Sequence, residues 1–268
     1  MPRYSMNELT TIGWPLEKDV TYFVDHGIRT ITAHRTKLET HGIEKGAALL
    51  KSAGIKVIAY QSGSFFSLNQ PDAWPAQMDK LKRNVEITAA LGADVVIFHT
   101  GPADALTYEE AEPRFVSIVE KVLPFAQGHR VKLAVEHASM LRMDLGYLGS
   151  LHNALDLADE INNPYFTVCM EVNNAWTERH LYANLSKRHR RIGIVQISDF
   201  KAGTTITPSR VPLGDGIIPL RRIMNALLNA GYGGYFDIEL VGPHIDEMGY
   251  EEAIRRCLAY LEAFKLDT

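Results

Sequence analysis

The stretch LHNALDLADEINNPYFTVCMEVNNAW, residues 151–176, sets the pattern by which the rest of the chain is read. Its first half is a helix-like amphipathic run. In its second half Phe166, Val168, Cys169, Met170 and Val172 suit a pleated, solvent-free strand, and Glu171 does not. A carboxylate in such a place is costly unless a cation or a proton accompanies it.

Outward from this stretch the alternation of short apolar and amphipathic runs continues to both ends. Strands are expected in YSMNELT, IRTITAHR, KVIAYQSG, ADVVIFHTG, VKLAVEHAS, FTVCMEV, IGIVQISDF and YFDIELVG. Between and after them come the helix-like runs PLEKDVTYFVDHG, IEKGAALLKSAG, DAWPAQMDKLKRNVEITAALG (helical through its later part), EEAEPRFVSIVEKVLPFAQ, LHNALDLADEINN, ERHLYANLSKRHRR, PLRRIMNALLNAGY and EEAIRRCLAYLEAF. Gly27, Gly54 and Gly92 close the first three helices. Such alternation implies parallel strands joined by helical crossovers. Eight units in a chain of 268 residues match a closed (β/α)8 TIM barrel. An open doubly wound sheet usually has fewer strands, and no GxGxxG follows the first strand. With no low-complexity linker, one domain over residues 1–268 is expected.

An apolar share of 46% and a charged share of 22% are ordinary for a soluble protein. The net charge of −4 argues against nucleic acid or an anionic membrane surface as partner. Cys169 and Cys257 are the only cysteines, both among apolar neighbours, which points to reduced, buried thiols and a cytoplasmic setting. The opening MPRYSMNELT has neither an apolar run nor a basic lead-in, so no signal peptide is expected. No apolar stretch approaches the ~20 residues that span a bilayer.

Reactive groups in such barrels sit at the C-terminal ends of the strands. Reading those ends gives Glu136 in the fifth strand, Glu171 in the sixth, Gln196 in the seventh and Glu239 in the eighth. Period-two parity puts Thr167, Cys169 and Glu171 on one face, and Asp237 with Glu239 on another, opposite Phe236, Ile238 and Leu240. Each glutamate alone reads equally well as the partner of a loop Arg or Lys. Together, three carboxylates and an amide oxygen would repel one another if bare, and a hard divalent cation such as Mg²⁺ or Mn²⁺ suits these donors. His99, ending the fourth strand, reads either as a substrate contact or as a structural hydrogen-bonding histidine. His137 has the opposite parity to Glu136. Arg35 (with His34) and Gln61, at the ends of the second and third strands, are weaker candidate contacts.

The motifs SMNELTT, GSFF at 63–66, LAVEHAS and the tail PLGDGIIPLRRIMNALLNAGYGGYFDIEL resemble the xylose-isomerase-like barrel superfamily. The resemblance is particularly to its sugar phosphate isomerase/epimerase members, with tagatose 3-epimerases and inosose dehydratases among the relatives. The resemblance implies a metal held by Glu, Asp, His and Glu on four late strands, which fall on Glu136, Glu171, Gln196 and Glu239. Glu171 thus replaces an Asp and Gln196 a His. A substrate-side histidine of the family is Asn174 here, and Arg210 aligns with a loop that covers the site in relatives. Asp199 is expected to orient that loop. Glutamine in place of imidazole should favour Mg²⁺ or Mn²⁺ over Zn²⁺.

The resemblance further implies that Glu136 and Glu239 act as acid and base on either side of a metal-bound hydroxy-ketone. The expected activity is a metal-dependent isomerase or epimerase of a keto-sugar or related polyol. The alternatives are a lyase or dehydratase that expels a β-substituent from the same enolate, on an inosose-, dehydroshikimate- or 3-keto-glycoside-type substrate, and a metal-free sugar-binding protein. Apurinic endonucleases share the barrel, but Gln196 and Asn174 remove nitrogen ligands those enzymes need, and the net charge is negative. Relatives are often dimers or tetramers, so a homo-oligomer is the expectation by resemblance.

Overall fold

The computed structural model describes residues 2–264, so Met1 and residues 265–268 of the expected domain lie outside the described residues. Eight parallel strands follow one another in chain order and close on themselves. They are β1 (Tyr4–Asn7), β2 (Thr30–His34), β3 (Lys56–Gln61), β4 (Val95–His99), β5 (Lys132–Glu136), β6 (Phe166–Glu171), β7 (Ile192–Ile197) and β8 (Phe236–Ile238). Closure is made by β8 against β1, with Tyr4 opposite Phe236, Ser5 opposite Asp237 and Met6 opposite Ile238. The expected (β/α)8 barrel is therefore the observed one.

Alternation along the strands builds two apolar layers. Inside the barrel Ile58, Val95, Ile97, Ala134, Cys169 and Ile194 form a cluster of their own. Residues of the other parity, such as Phe98, Val135, Val168, Met170 and Phe236, join Phe23, Phe115, Leu155 and Ile223 from the surrounding helices in the main core. Those helices include Tyr108–Gly128 and Leu151–Ile161. Glu110 Oε2 accepts the Thr107 backbone N–H at 2.9 Å at the start of the first, and Ser150 Oγ accepts that of Asn153 at 3.1 Å at the start of the second. Both cysteines are buried and free. Among the described residues no helix is long and apolar enough to cross a membrane.

The structure differs from expectation at element ends. The helix after β3 runs over Trp74–Ala90 rather than only the later part of its segment, with Pro75 in the first turn where its missing N–H costs nothing. Three short helices, Arg35–His41, Val172–Ala175 and Pro243–Met248, follow β2, β6 and β8. β8 stops at Ile238 because Thr10 Oγ takes over its neighbours, donating to the Ile238 carbonyl at 3.1 Å and accepting from Leu240 N at 3.0 Å.

Two long loops are tied down over the C-terminal end of the barrel. Gly101, at φ 86°, packs so tightly on Phe66 that a Cβ would lie 1.7 Å from its carbonyl oxygen. Its N–H donates to Leu145 O at 3.0 Å and its own carbonyl accepts from Tyr147 N at 3.0 Å, which holds the segment after β5 beside β4. Asp199 organises the segment after β7, accepting from the N–H groups of Phe200, Ile218 and Gly214 at 2.8, 2.9 and 3.1 Å.

Candidate active site

Period-two alternation turns the late polar residues of β5 to β8 inward, and the register sets their levels. Glu171 lies opposite Gln196, Gln196 opposite Asp237, and Glu136 opposite Cys169. A cavity of about 260 Å³ opens above them, and its walls include Gln61, His99, Glu136, Asn174, Arg210 and Glu239. Glu171 and Gln196 are fully buried and off the cavity wall. Arg35 is not brought to the site. Its backbone begins the Arg35–His41 helix, which swings the side chain out to pair with Glu39 at 3.3 Å.

A hydrogen-bond network at the base of the cavity begins at Asn7, at the end of β1. Its Oδ1 accepts from Leu9 N at 2.9 Å, which fixes the amide so that Nδ2 points at acceptors. That nitrogen lies 2.7 Å from Gln61 Oε1, 2.9 Å from Asp237 Oδ2 and 3.1 Å from Glu239 Oε2. With the Gln61 oxygen taken, its NH₂ group is left as the donor available to the cavity. Ser5 Oγ holds the other oxygen of Asp237 at 2.6 Å. Gln196 accepts from Cys169 Sγ at 3.2 Å and donates to Glu239 Oε2 at 2.5 Å.

Glu171 faces a protein cation. Its Oε1 accepts from Asn173 N at 2.7 Å, and its Oε2 lies 3.7 Å from Arg210 Nη2. The same guanidinium donates to Asn173 Oδ1 at 3.0 Å. Glu136 Oε2 has no hydrogen bond, and the Nε2 of His99 stands 3.8 Å away. Asn174 donates to His137 O at 3.3 Å. His137 is fully buried with neither ring nitrogen bonded.

Crowding of acids in a dry place sets the electrostatics. Burial first, and the charge of Glu171 second, raise Glu136 to about 8. Burial and then Glu136 and Glu171 push Glu239 well above the carboxylate range, and burial raises Asp237 to about 7. Glu171 is raised by burial while Arg210 opposes the shift. Burial lowers His99 to about 4 and His137 to about 3. These directions fix a pH dependence of stability. His34, His99 and His137 are held below their ordinary 6.5, so they favour folding fully above that value. Glu136, Asp237 and Glu8 (raised to about 8, mainly by burial) bind protons more tightly when folded, so their contribution drains as pH climbs through their folded values. Metal-free protein is therefore expected to lose stability between about pH 6.5 and 8, where only the carboxyl groups titrate. Urea midpoints across that range read the slope; a flat or rising profile contradicts the assignment.

The donors themselves decide whether a divalent cation suits the site. Two buried carboxylate oxygens, Glu136 Oε2 and Glu171 Oε2, have no hydrogen-bond partner, and with Glu239 and the Gln196 amide they form a set of hard oxygen donors. That chemistry fits a hard cation. The side chains are not gathered around one point, however. Among the described residues no three His, Cys, Asp or Glu side chains stand as a ready-made metal site, and the Gln196–Glu239 hydrogen bond joins two of the expected donors.

Sequence reading missed Asn7 and Ser5, and it placed Asp237 on the inner face without giving it a role. It also missed Arg142, which lines the cavity from the loop after β5 with its guanidinium paired to Asp144 at 3.0 and 3.1 Å. Only the inward parity of a strand-end amide could have pointed to Asn7.

Known proteins resemble the chain in sequence and in fold. L-ribulose-5-phosphate 3-epimerase UlaE of Escherichia coli O157:H7 (strain EC4115 / EHEC) is 28% identical over 149 residues, 55% of this chain and 49% of that protein. The match thus spans about half the length of such relatives. Protein SMc04130 from Sinorhizobium meliloti 1021 superposes with a TM-score of 0.91 at 23% identity over 98% of both chains. The IolI protein, solved with a zinc atom, superposes with a TM-score of 0.84 at 19% identity, over 97% of this chain and 96% of its own. At such identities the superpositions speak for a shared fold. The sequence pattern of one family extends over residues 20–261, from the first helix to the last, and the chain belongs to that family, the xylose isomerase-like TIM barrels.

Proposed function

We propose that this chain is a divalent-metal-dependent isomerase or epimerase acting on a hydroxy-ketone, a keto-sugar or related polyol. The observation that carries the reading is the presence of two raised glutamates, Glu136 and Glu239, on the wall of one small cavity. Glu136, raised to about 8, lies where a carboxyl both takes and returns a proton at useful rates. In this reading one glutamate, ionised, removes the proton α to the substrate carbonyl, and the other, protonated, returns a proton to the enediolate. Gln61 NH₂, oriented by Asn7, donates to a substrate oxygen, as does Arg210, while Asn174 bounds the cavity. The Asn7 and Gln196 amides hold Glu239 in place.

Glu136, Glu171, Gln196 and Glu239 are the residues that would hold the cation, in place of the Gln196–Glu239 hydrogen bond. When bound, it supplies Lewis-acid stabilisation of the negative charge that develops on the substrate. IolI carries zinc, but an oxygen-only donor set without imidazole favours Mn²⁺ or Mg²⁺. Glu136, raised to about 8, holds a proton at neutral pH in metal-free protein. Titration with Mn²⁺ should therefore release protons. Calorimetry in two buffers of different ionisation enthalpy reads that release, and identical heats in the two would count against Glu136 as a ligand.

The substrate is proposed to carry no phosphate, unlike that named for the ribulose-phosphate epimerases. Both cavity arginines already have their charge offset, Arg142 by Asp144 and Arg210 by Glu171, so neither is free to neutralise a dianion even where it donates to a neutral oxygen. The test is product mass on a panel of unphosphorylated ketoses and cyclic polyol ketones. An isomerase conserves mass; a product lighter by one water would replace this reading with a dehydratase.

A further inference from the structure

The end of the barrel opposite the glutamates holds a second cavity, of about 460 Å³, bordered by residues at the starts of six strands. Arg3 precedes β1, Lys56 opens β3, Asp94 precedes β4, Lys132 opens β5, Arg190 lies just before β7 and Tyr235 precedes β8. These positions are scattered over the sequence, and only barrel closure assembles them. Four cations thus face a single carboxylate, in a chain whose net charge is −4.

The cations are not spent on neighbours. Among the described residues the side chains of Lys56, Lys132 and Arg190 form no ion pair, whereas Arg188, Arg191, Arg255 and Arg256 on the same protein's surface all do. Local preference does not account for two lysines at strand starts, since lysine is depleted in strands. Arg3 is already positioned: Nη1 donates to Gly233 O at 2.8 Å, and the guanidinium carbon lies 4.1 Å over the Tyr235 ring. A concave surface on which one sign of charge predominates concentrates field and draws in multivalent counter-ions. At about 460 Å³ the cavity is large enough to take a small molecule.

We propose that this cavity binds a multiply charged phosphate group, free or carried by a small molecule, at a site separate from the glutamates. Arg3 provides the fixed contact, and Lys56, Lys132 and Arg190 close on the anion from three other strands.

The experiment titrates the full chain with inorganic phosphate and with pyrophosphate by calorimetry, against sodium chloride at equal ionic strength. Saturable binding of either anion, absent with chloride, is expected. The Lys56→Ala/Lys132→Ala double variant should bind at least about tenfold more weakly, because each lost hydrogen bond to a charged group is worth that much. Tighter binding of pyrophosphate points to a phosphorylated metabolite, and equal binding points to free phosphate. Arg190→Ala, an exposed single change, is read in the same way should the double variant melt early in chloride. Absence of saturable binding to the wild-type chain, or equal affinity in a variant that melts normally, overturns the proposal.

Discussion

Replacing Glu239 with glutamine is expected to slow turnover by about 10²–10⁴-fold, the usual weight of a positioned acid or base. The carboxylate accepts from both Asn7 and Gln196, and the cavity opens on it, so the amide isostere keeps shape while removing the titratable group. The fold should not suffer. Burial and the charges of Glu136 and Glu171 hold Glu239 far above its ordinary value, so its ionised form opposes folding, and its removal relieves that strain. The variant is thus expected to be at least as stable as the parent at about pH 8 while nearly inactive. Steady-state rates and urea midpoints on the same preparation separate the two effects. Glu136→Gln should behave alike, with its kcat reduced more than its KM is changed. Retained turnover in either variant removes that residue from the chemistry.

Arg210→Met is the second large effect, and it acts first on stability. Arg210 and Glu171 are both buried at 3.7 Å, and Arg210 opposes the upward shift of the Glu171 pKa. Removing the guanidinium strands a buried carboxylate, which in comparable pairs costs about 3–5 kcal/mol. The sign of the pH dependence follows. Glu171 in the variant is raised further, so the penalty is largest at high pH and fades as the group takes up a proton on acidification. Arg210→Lys should recover part of the stability, since an ammonium restores the charge, but not the paired contact with Asn173 and Glu171 that the planar fork makes. Urea unfolding at two pH values reads all three chains. A loss that is independent of pH would mean Arg210 acts by packing alone.

Much of the barrel was legible because closure demands repetition. Eight apolar runs at regular spacing leave few other folds, and period two then assigns Glu136, Glu171, Gln196 and Glu239 to the inner surface. What parity does not carry is the first residue beyond a strand. Arg35 reads as a weaker candidate contact because the sequence puts it at the end of the second strand, yet the chain turns helical there and the side chain meets Glu39 instead. Arg142 lies in a loop with no period, and it reaches the cavity only because Gly101 pins that loop down. Parity turns Glu171 toward the proposed metal but does not show that Arg210 also stands beside it, from a loop that Asp199 shapes through three backbone N–H groups. The basic cavity at the far end was illegible for a related reason. Most of its members are single residues at strand starts, and Arg190 lies in the run KRHRR, residues 187–191, which reads by itself as a solvated helix end with no partner.

The central claim is proton transfer by Glu136 and Glu239 at the carbon α to a carbonyl. Its most direct test is incubation of the Mn²⁺-supplemented protein with unphosphorylated ketoses in D₂O, with deuterium at the α-carbon followed by NMR. The account predicts deuterium incorporation that depends on the wild-type protein and disappears in both Glu136→Gln and Glu239→Gln. Incorporation that persists in the two variants, or product formation without any incorporation, would contradict it.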